Sequence, residues 1–298
     1  MIWANPLEAA CYLSLDTTKA KATSLSTQVT ALLSRYVMPV EPMPSAGVPE
    51  GHCIFYASLT QEKGQSIFSI KGPRINGLGV SNQKGPRGQT EAMLYALYLG
   101  QPGLALRSRI CADYPKQLKN LCLPLEVEVL FFDEFARTLP DGAIVKSGES
   151  FFILVRPLTA LHMQIYNQDA RGEIFQIYPN REVNPVANPL AVGQGYFFPQ
   201  KKGDLIFRFD RTKGKEHFFL AFSAAPLSDL EIAFEKMKQD KNMLSQKDFT
   251  LRLSQRGSAA KQMQGQDQEI SYRQEFRATT TRFQGQGTFV AHWLFDHR

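Results

Sequence analysis

The chain has 298 residues, of which 43% are hydrophobic and 21% charged, and its formal net charge at pH 7 is +6. This length and composition are typical of a folded protein of two domains. No run approaches the ~18 apolar residues of a membrane-spanning helix. The basic residues are spread along the chain rather than clustered, so neither a transmembrane segment nor a DNA partner is expected.

The first part of the chain predicts a helix followed by a β-hairpin. Either Asp16 or Thr17 can cap the helix. Its apolar stripe comprises Leu25, Val29, Leu32 and Leu33. Two short apolar segments then flank the tetrapeptide QEKG, which is typical of a hairpin turn.

The segment from Gly72 to Gly88 is predicted to be a long glycine-rich loop between a strand and a helix. Backbone N–H groups in that position can bind an anion. Four cations accompany it, namely Lys71, Arg74, Lys84 and Arg87. The segment fits neither phosphate-binding pattern, because it lacks G-x-G-x-x-G and because Lys84 is followed by glycine instead of serine or threonine. An ordinary exposed loop and an anion or partner contact both stay open.

A helix and a strand complete the first predicted domain, residues 1–135. The helix covers residues 89–100 and stops at Gly100. Its buried side comprises Met93, Leu94, Leu97 and Tyr98. The apolar segment 123–135 is a further strand, and together these elements predict a small α/β domain.

All four cysteines lie in the first half, and their positions are Cys11, Cys53, Cys111 and Cys122. Cys111 and Cys122 flank a short polar segment and form the natural local pair, which leaves Cys11 for Cys53. Each bridge would stabilise the fold by about 2–4 kcal/mol. Buried free thiols are the alternative, and no metal site is expected because no CxxC or HxxxH spacing is present.

The cysteines favour an oxidising compartment, so we expect a periplasmic or secreted protein. The chain shows no basic n-region and no long apolar h-region at its start. The segment Ile2-Trp3-Ala4 would then be the remnant of a removed signal. If Met1 is native, the alternative is a cytoplasmic protein.

Residues 136–298 predict a mainly antiparallel, β-sandwich-like domain. The segment 151–157 is a continuous apolar run, as in a strand buried on both faces. An alternating strand follows, and a turn that ends at Gly172 returns the chain as a hairpin. Three more strands are predicted, and Pro199 places the first at a sheet edge; they cover 196–200, 204–210 and 218–223.

The last predicted elements are a helix and a hairpin. Ser228 caps the helix, Glu231 completes a capping box, and the apolar face comprises Leu230, Phe234 and Met237. The glutamine-rich segment 245–269 is predicted to be a short helix with a linker, or partly disordered. Residues 270–298 alternate about a QGQG turn and predict a hairpin that joins the β-rich sheet.

Residues 140–231 resemble a bacterial domain-of-unknown-function family. That family forms a β-rich module appended to caspase-like peptidases, to Ser/Thr kinases and to envelope lipoproteins of the curli-secretion type. The matching pieces are Ser147-Gly148-Glu149, Tyr166-Asn167-x-Asp169-x-x-Gly172, Tyr178-Pro179-Asn180, Asn188-Pro189, Gly193, Pro199, Gly214-x-Glu216 and Ala221-x-Ser223. The resemblance implies an accessory module, often extracytoplasmic, and it carries over no catalytic residues. The chain has neither a kinase motif set nor a caspase-type cysteine signature.

These patterns predict an α+β protein that is not an enzyme and that needs no metal or cofactor. The first hypothesis is a bacterial cell-envelope assembly or adaptor protein, which binds other assembly components as a monomer or an oligomer. The alternative is an enzyme or ligand-binding protein that uses the Gly72–Gly88 loop as an anion site.

Overall fold

The computed structural model describes residues 11–17, 22–38, 40–44, 53–72, 75–100, 104–114, 116–118, 122–200, 204–240, 246–251, 253 and 261–298. Contacts within the chain divide it into two units, Met1–Lys119 and Asn120–Arg298. The fold is α+β, with more strand than helix and with several antiparallel pairings, as predicted. Among the described residues, no helix is long and apolar enough to cross a membrane.

The N-terminal unit contains a five-stranded sheet in the order β2-β1-β3-β4-β5. Its strands are β1 (Cys11–Thr17), β2 (Val40–Pro42), β3 (Cys53–Glu62), β4 (Gln65–Gly72) and β5 (Ile75–Ser81). Its helices are α1 (Ala22–Tyr36), α2 (Gly85–Gly100) and α3 (Leu104–Asp113). β1 runs parallel to β2 and β3, whereas β3, β4 and β5 form an antiparallel meander. The predicted QEKG hairpin is therefore confirmed, and α3 is an addition to the predicted elements.

The start of α1 differs from the prediction. Asp16 and Thr17 lie in β1, which pairs with β3 along its whole length, so neither residue caps the helix. Leu25, Val29 and Leu33 are buried as predicted, and Leu32 is only half-buried because it lies beside that face.

The predicted glycine-rich loop from Gly72 to Gly88 is wrong at both ends, because residues 75–81 form β5, which pairs with β4, and because α2 begins at Gly85; of the described residues between β5 and α2, only 82–84 form a loop. Two glycines of β5 lie directly beneath α2. A Cβ atom on Gly77 would overlap the carbonyl oxygen of Ala96, and one on Gly79 would overlap that of Ala92. The two glycines therefore allow α2 to pack closely against β5, and such close approach is a known reason for glycine within a strand. The predicted buried side of α2 and its end at Gly100 are confirmed.

All four cysteines are disulfide-bonded in the structure. Cys11 and Cys53 are register partners on β1 and β3, with Cα atoms 4.6 Å apart. Cys111 pairs with Cys122. The pairing expected from the spacing is confirmed.

The C-terminal unit is a sandwich of two sheets, ordered β10-β9-β13-β16-β7 and β11-β8-β6-β15-β14, with β12 paired to β8. Its first strands are β6 (Pro124–Phe132), β7 (Ile144–Val145), β8 (Ser150–Pro157), β9 (His162–Gln168), β10 (Ile174–Tyr178) and β11 (Tyr196–Phe198). The later elements are β12 (Phe207–Arg208), β13 (Gly214–Ser223), α4 (Ser228–Asp240), β14 (Lys261–Ser271), β15 (Glu275–Gln286) and β16 (Thr288–His297).

β6 belongs to this sandwich and not to the N-terminal domain for which it was predicted. It lies between β8 and β15 and hydrogen-bonds to both. The boundary between the two units accordingly lies after Lys119, whereas the boundary predicted from the sequence lies after residue 135.

The inner faces of the two sheets share one apolar core. Its centre holds aromatic contacts of Phe131 with Phe218, Trp293 and Phe295. On the outer face of the first sheet, α4 packs over Tyr166 and Phe219 through the predicted side chains Leu230, Phe234 and Met237. Because α4 covers this face, β9 is buried on both sides despite its alternating sequence.

Two predictions about the last third are wrong. The glutamine-rich residues 261–269 lie in β14, which pairs with β15. The QGQG segment joins the two sheets and is not a hairpin turn, because β15 pairs with β6 whereas β16 pairs with β13. Only a glycine fits at Gly285, since a Cβ there would overlap the ring of Phe289. The predicted β9–β10 hairpin is confirmed, and so is the predicted edge position of β11, which precedes Pro199.

Candidate functional site

A cavity of about 490 Å³ lies in the C-terminal unit where β9, β10 and the start of β13 meet the segment 205–210. Its charged lining residues are Asp169, Arg171, Glu182, Arg208, Asp210 and Glu216. Four carboxylates thus face two guanidinium groups, in a chain whose net charge is +6. The cavity has a local acidic excess that the whole chain does not share.

Two buried polar residues, Glu216 and His297, occupy the end of the sandwich core. Register pairs Glu216 with Phe295 and Gly214 with His297, so the two side chains are diagonal neighbours on one face of the β13–β16 pair. They continue the inner-facing rows that hold Phe218 and Phe295. The strand period therefore places an acid and a histidine where apolar residues would otherwise follow.

Glu216 is buried, with 5% of the residue exposed, and its carboxylate accepts hydrogen bonds from two amide groups. Asn167 Nδ2 donates to its Oε2 at 3.3 Å, and the backbone N–H of Ala170 donates to it as well. Burial outweighs these hydrogen bonds and raises the pKa of Glu216 above its ordinary value.

Asp210 approaches the same point from a turn after β12. Its carboxylate accepts hydrogen bonds from the backbone N–H of Thr212 at 2.6 Å and from the Thr212 hydroxyl at 3.1 Å. The backbone hydrogen bond is the main reason that the pKa of Asp210 is lowered. The Arg171 guanidinium lies 3.9 Å away, but it is bound more closely by Asp169 at 2.9 Å. Asp210 thus presents an ionised carboxylate at the cavity edge.

The His297 side chain is fully buried, with 0% of its surface exposed. Its Nε2 lies 3.0 Å from Ser147 Oγ, within hydrogen-bonding distance. Its Nδ1 lies 3.8 Å from Glu216 Oε1, and no group in the described residues forms a hydrogen bond with it. One ligand atom from each of Asp210, Glu216 and His297 lies within 4.8 Å of the others. One imidazole nitrogen and two carboxylate oxygens are donors that zinc uses in proteins.

The rim of the cavity is apolar and adjoins a sheet edge. Phe175 on β10 is 47% exposed and Leu205 is 42% exposed. β10 is the outermost strand of its sheet and pairs, in the described part of the chain, with β9 alone. The arrangement combines an open strand edge, two exposed apolar side chains and an acidic floor.

The predicted anion residues belong to the N-terminal unit, and the described ones do not all lie together. Lys71 is register partner of Asn76, whereas the chain reaches Lys84 only after Ser81, the partner of Ser66 at the other end of β4. Five residues of strand span roughly 17 Å. Arg87 is exposed in the first turn of α2, and Arg74 lies outside the described residues. Arg87 and Lys116 line a separate cavity of about 400 Å³, in which Glu91 opposes their charge.

The cluster of Asp210, Glu216 and His297 was not predicted from the sequence. Their separation along the chain conceals it, since only the pairing of β13 with β16 brings His297 to Glu216. One signal was present, because Gly214-x-Glu216 was among the motif pieces that resembled a family.

Comparison with known proteins gives one match. Residues 144–226 match the family model described as Domain of unknown function (DUF4384). No curated protein and no solved structure matches the chain. The matched range covers β7 to β13 and therefore most of the cavity lining, including Asp169, Asp210 and Glu216. The predicted resemblance to a bacterial domain-of-unknown-function family is therefore confirmed over residues 144–226.

Proposed function

We propose that this protein is a non-enzymatic adaptor of the bacterial cell envelope and that it binds an extended segment of a partner protein at the acidic cavity. The observation that carries the proposal is the open edge of β10 beside the exposed side chains of Phe175 and Leu205. An extended peptide adds to such an edge through backbone hydrogen bonds, and alternate side chains enter the adjoining pocket.

The cavity lining selects the chemistry of the partner segment. The apolar rim fits an apolar side chain, and the carboxylates of Glu182 and Asp210 in the cavity lining fit a lysine or arginine. A partner segment with alternating apolar and basic residues meets both requirements. The same acidic floor disfavours anionic ligands at this place.

The disulfides support an extracytoplasmic location. Cys11 with Cys53 and Cys111 with Cys122 are all oxidised, and such bonds persist in the periplasm and outside the cell. The anion-site alternative is not carried forward, because Lys71 lies at the end of β4 opposite the start of α2, where only Lys84 and Arg87 of its described cations lie.

Site-specific crosslinking in the bacterium of origin tests the proposal. A photo-crosslinking phenylalanine analogue is placed at Phe175, and a matched chain carries it at Phe135, which is 68% exposed in the same unit. We expect a discrete crosslinked partner from position 175 and none from position 135. The substitution Glu182→Lys should weaken that crosslink, because it reverses one charge of the floor.

Two results would contradict this function. One is the same crosslinking pattern from both positions, which would mark non-specific collision. The other is a crosslinked partner from position 175 that is unaffected by Glu182→Lys and whose crosslinked segment carries acidic residues.

A further inference from the structure

The cluster of Asp210, Glu216 and His297 contains a buried nitrogen without a hydrogen-bond partner in the described part of the chain. His297 Nδ1 is that atom, and its side chain is fully buried. Leaving a buried polar atom unpaired is costly, so native structures seldom keep one without a function or a ligand. The atom faces Glu216 Oε1 at 3.8 Å, too far for a hydrogen bond but suitable for two ligands of one ion.

We propose that Asp210, Glu216 and His297 bind a divalent transition-metal cation, and that zinc is the preferred one. Zinc takes imidazole nitrogen at 2.0–2.1 Å and carboxylate oxygen at 2.0–2.2 Å, so its tetrahedral ligands lie roughly 3.4 Å apart. The three candidate atoms lie within 4.8 Å of one another. The Asp210 side chain is 48% exposed at the cavity edge, so it can rotate inward to close this gap.

Each candidate ligand already has a partner that orients it. Ser147 lies against His297 Nε2, Asn167 donates to Glu216, and Thr212 donates to Asp210. When Nε2 carries the proton and donates it to Ser147 Oγ, Nδ1 presents its lone pair toward Glu216. Metal-binding histidines are oriented in this way by a hydrogen bond at the other ring nitrogen.

The donor types favour zinc over the harder cations. A fully buried imidazole suits zinc, whereas magnesium and calcium require oxygen ligands. Two carboxylates also neutralise a divalent ion, and Arg171 is engaged by Asp169 at 2.9 Å rather than by the cluster. The cavity beside Asp210 leaves space for a water molecule or a partner group as a fourth ligand.

The test is direct zinc binding by the purified, disulfide-intact full chain after treatment with a chelator. Zinc is titrated by isothermal calorimetry with a competing chelator of known affinity. We expect one zinc per chain, and a loss of at least about tenfold in affinity for Asp210→Asn and for His297→Gln. Asp210 is half-exposed, so D210N should fold even where H297Q does not. Zinc should also raise the Tm of the wild-type chain and leave that of D210N nearly unchanged.

Two matched variants decide where any zinc is bound. Glu182→Gln removes a carboxylate from the same cavity but not from the cluster. The double variant H217Q/H292Q removes two contacting imidazoles outside the cluster, whose nitrogens are 2.9 Å apart. Both variants should bind zinc like the wild type.

The proposal is overturned if the wild-type chain binds no zinc, or if D210N binds zinc as tightly as the wild type; loss of binding in H217Q/H292Q would then place the metal at His217 and His292. This inference does not depend on the adaptor function, since purified protein and zinc alone are measured. Loss of the partner crosslink would therefore leave it standing.

Discussion

The Asp169 carboxylate organises the turn that carries Arg171, an arginine of the cavity lining. Asp169 is 7% exposed, and its Oδ1 accepts the backbone N–H groups of Arg171 and Glu173, both at 2.9 Å. Its Oδ2 accepts the Arg171 guanidinium at 2.9 and 3.0 Å. The turn from Asn167 to Gly172 was predictable because Asx residues bond their own backbone.

We expect Asp169→Ala to lower the free energy of unfolding by about 1–3 kcal/mol, because it removes the common acceptor of two backbone N–H groups and of the Arg171 guanidinium. Asp169→Asn keeps an acceptor oxygen and should cost less. Asp267→Ala serves as the control, since its carboxylate is 58% exposed and pairs with an exposed Arg277. That control should cost under about 1 kcal/mol. Urea denaturation measures all three, and equal stabilities for D169A and D267A would refute the role of the turn.

Residues of the candidate site were harder to predict than those of turns. A turn is encoded by neighbours in sequence, whereas Glu216 and His297 meet only through the β13–β16 register. A glutamate after Gly214 and a histidine at the end of an aromatic strand are each ordinary. Their shared face follows from pairing across 81 positions, which no local pattern contains.

At the scale of elements, the outer face of the β13–β16 pair carries two contacting imidazoles. His217 Nδ1 lies 2.9 Å from His292 Nε2, and the His292 ring stacks on Phe219. Burial, more than any neighbouring charge, lowers the pKa of both histidines. Each is therefore neutral in the fold and takes up a proton more readily when the chain unfolds.

This pair should make the C-terminal unit less stable in weak acid. Because the folded pKa values are below 6.5, the stabilisation is present above that pH and is lost as the pH falls through the folded values. We expect the fall in Tm between pH 7.5 and pH 5 to be smaller in H217Q/H292Q than in the wild type. The remainder of the fall should persist, since burial also lowers the pKa of His162. Identical pH profiles for the two proteins would contradict this assignment.

Helices and strands were predicted well where turn residues and the spacing of apolar residues encode them locally. They were predicted poorly where close packing between elements determines the structure. The hairpins β3–β4 and β9–β10 and the helices α2 and α4 follow from turn residues and apolar spacing. β5 was missed because Gly77 and Gly79 indicate a loop by composition, while the structure uses them to admit α2. β14 was missed because an edge strand with mostly exposed side chains has the composition of a linker.

At the scale of the whole molecule, the sequence predicted the fold class but not which strands share a sheet. The composition of β6 does not distinguish it from the N-terminal unit that precedes it, yet both of its partners, β8 and β15, come later in the chain. The QGQG segment has the composition of a hairpin turn, yet it carries the chain from one sheet to the other. Sheet membership depends on long-range pairing, and local patterns constrain it weakly.

The Cys11–Cys53 bond should stabilise the N-terminal unit selectively. Both cysteines lie within Met1–Lys119, and 42 positions separate them. By loop-closure entropy, removing this bond costs about 4 kcal/mol. We expect C11S/C53S to increase amide hydrogen exchange in β3, β4 and β5 and to leave β8 and β13 unchanged, as measured by peptide-resolved mass spectrometry.

The sandwich provides the internal control, because its core contains neither cysteine. Equal loss of protection in both units would show that they unfold as one, and unchanged protection in β3 would show that the bond is not needed for stability.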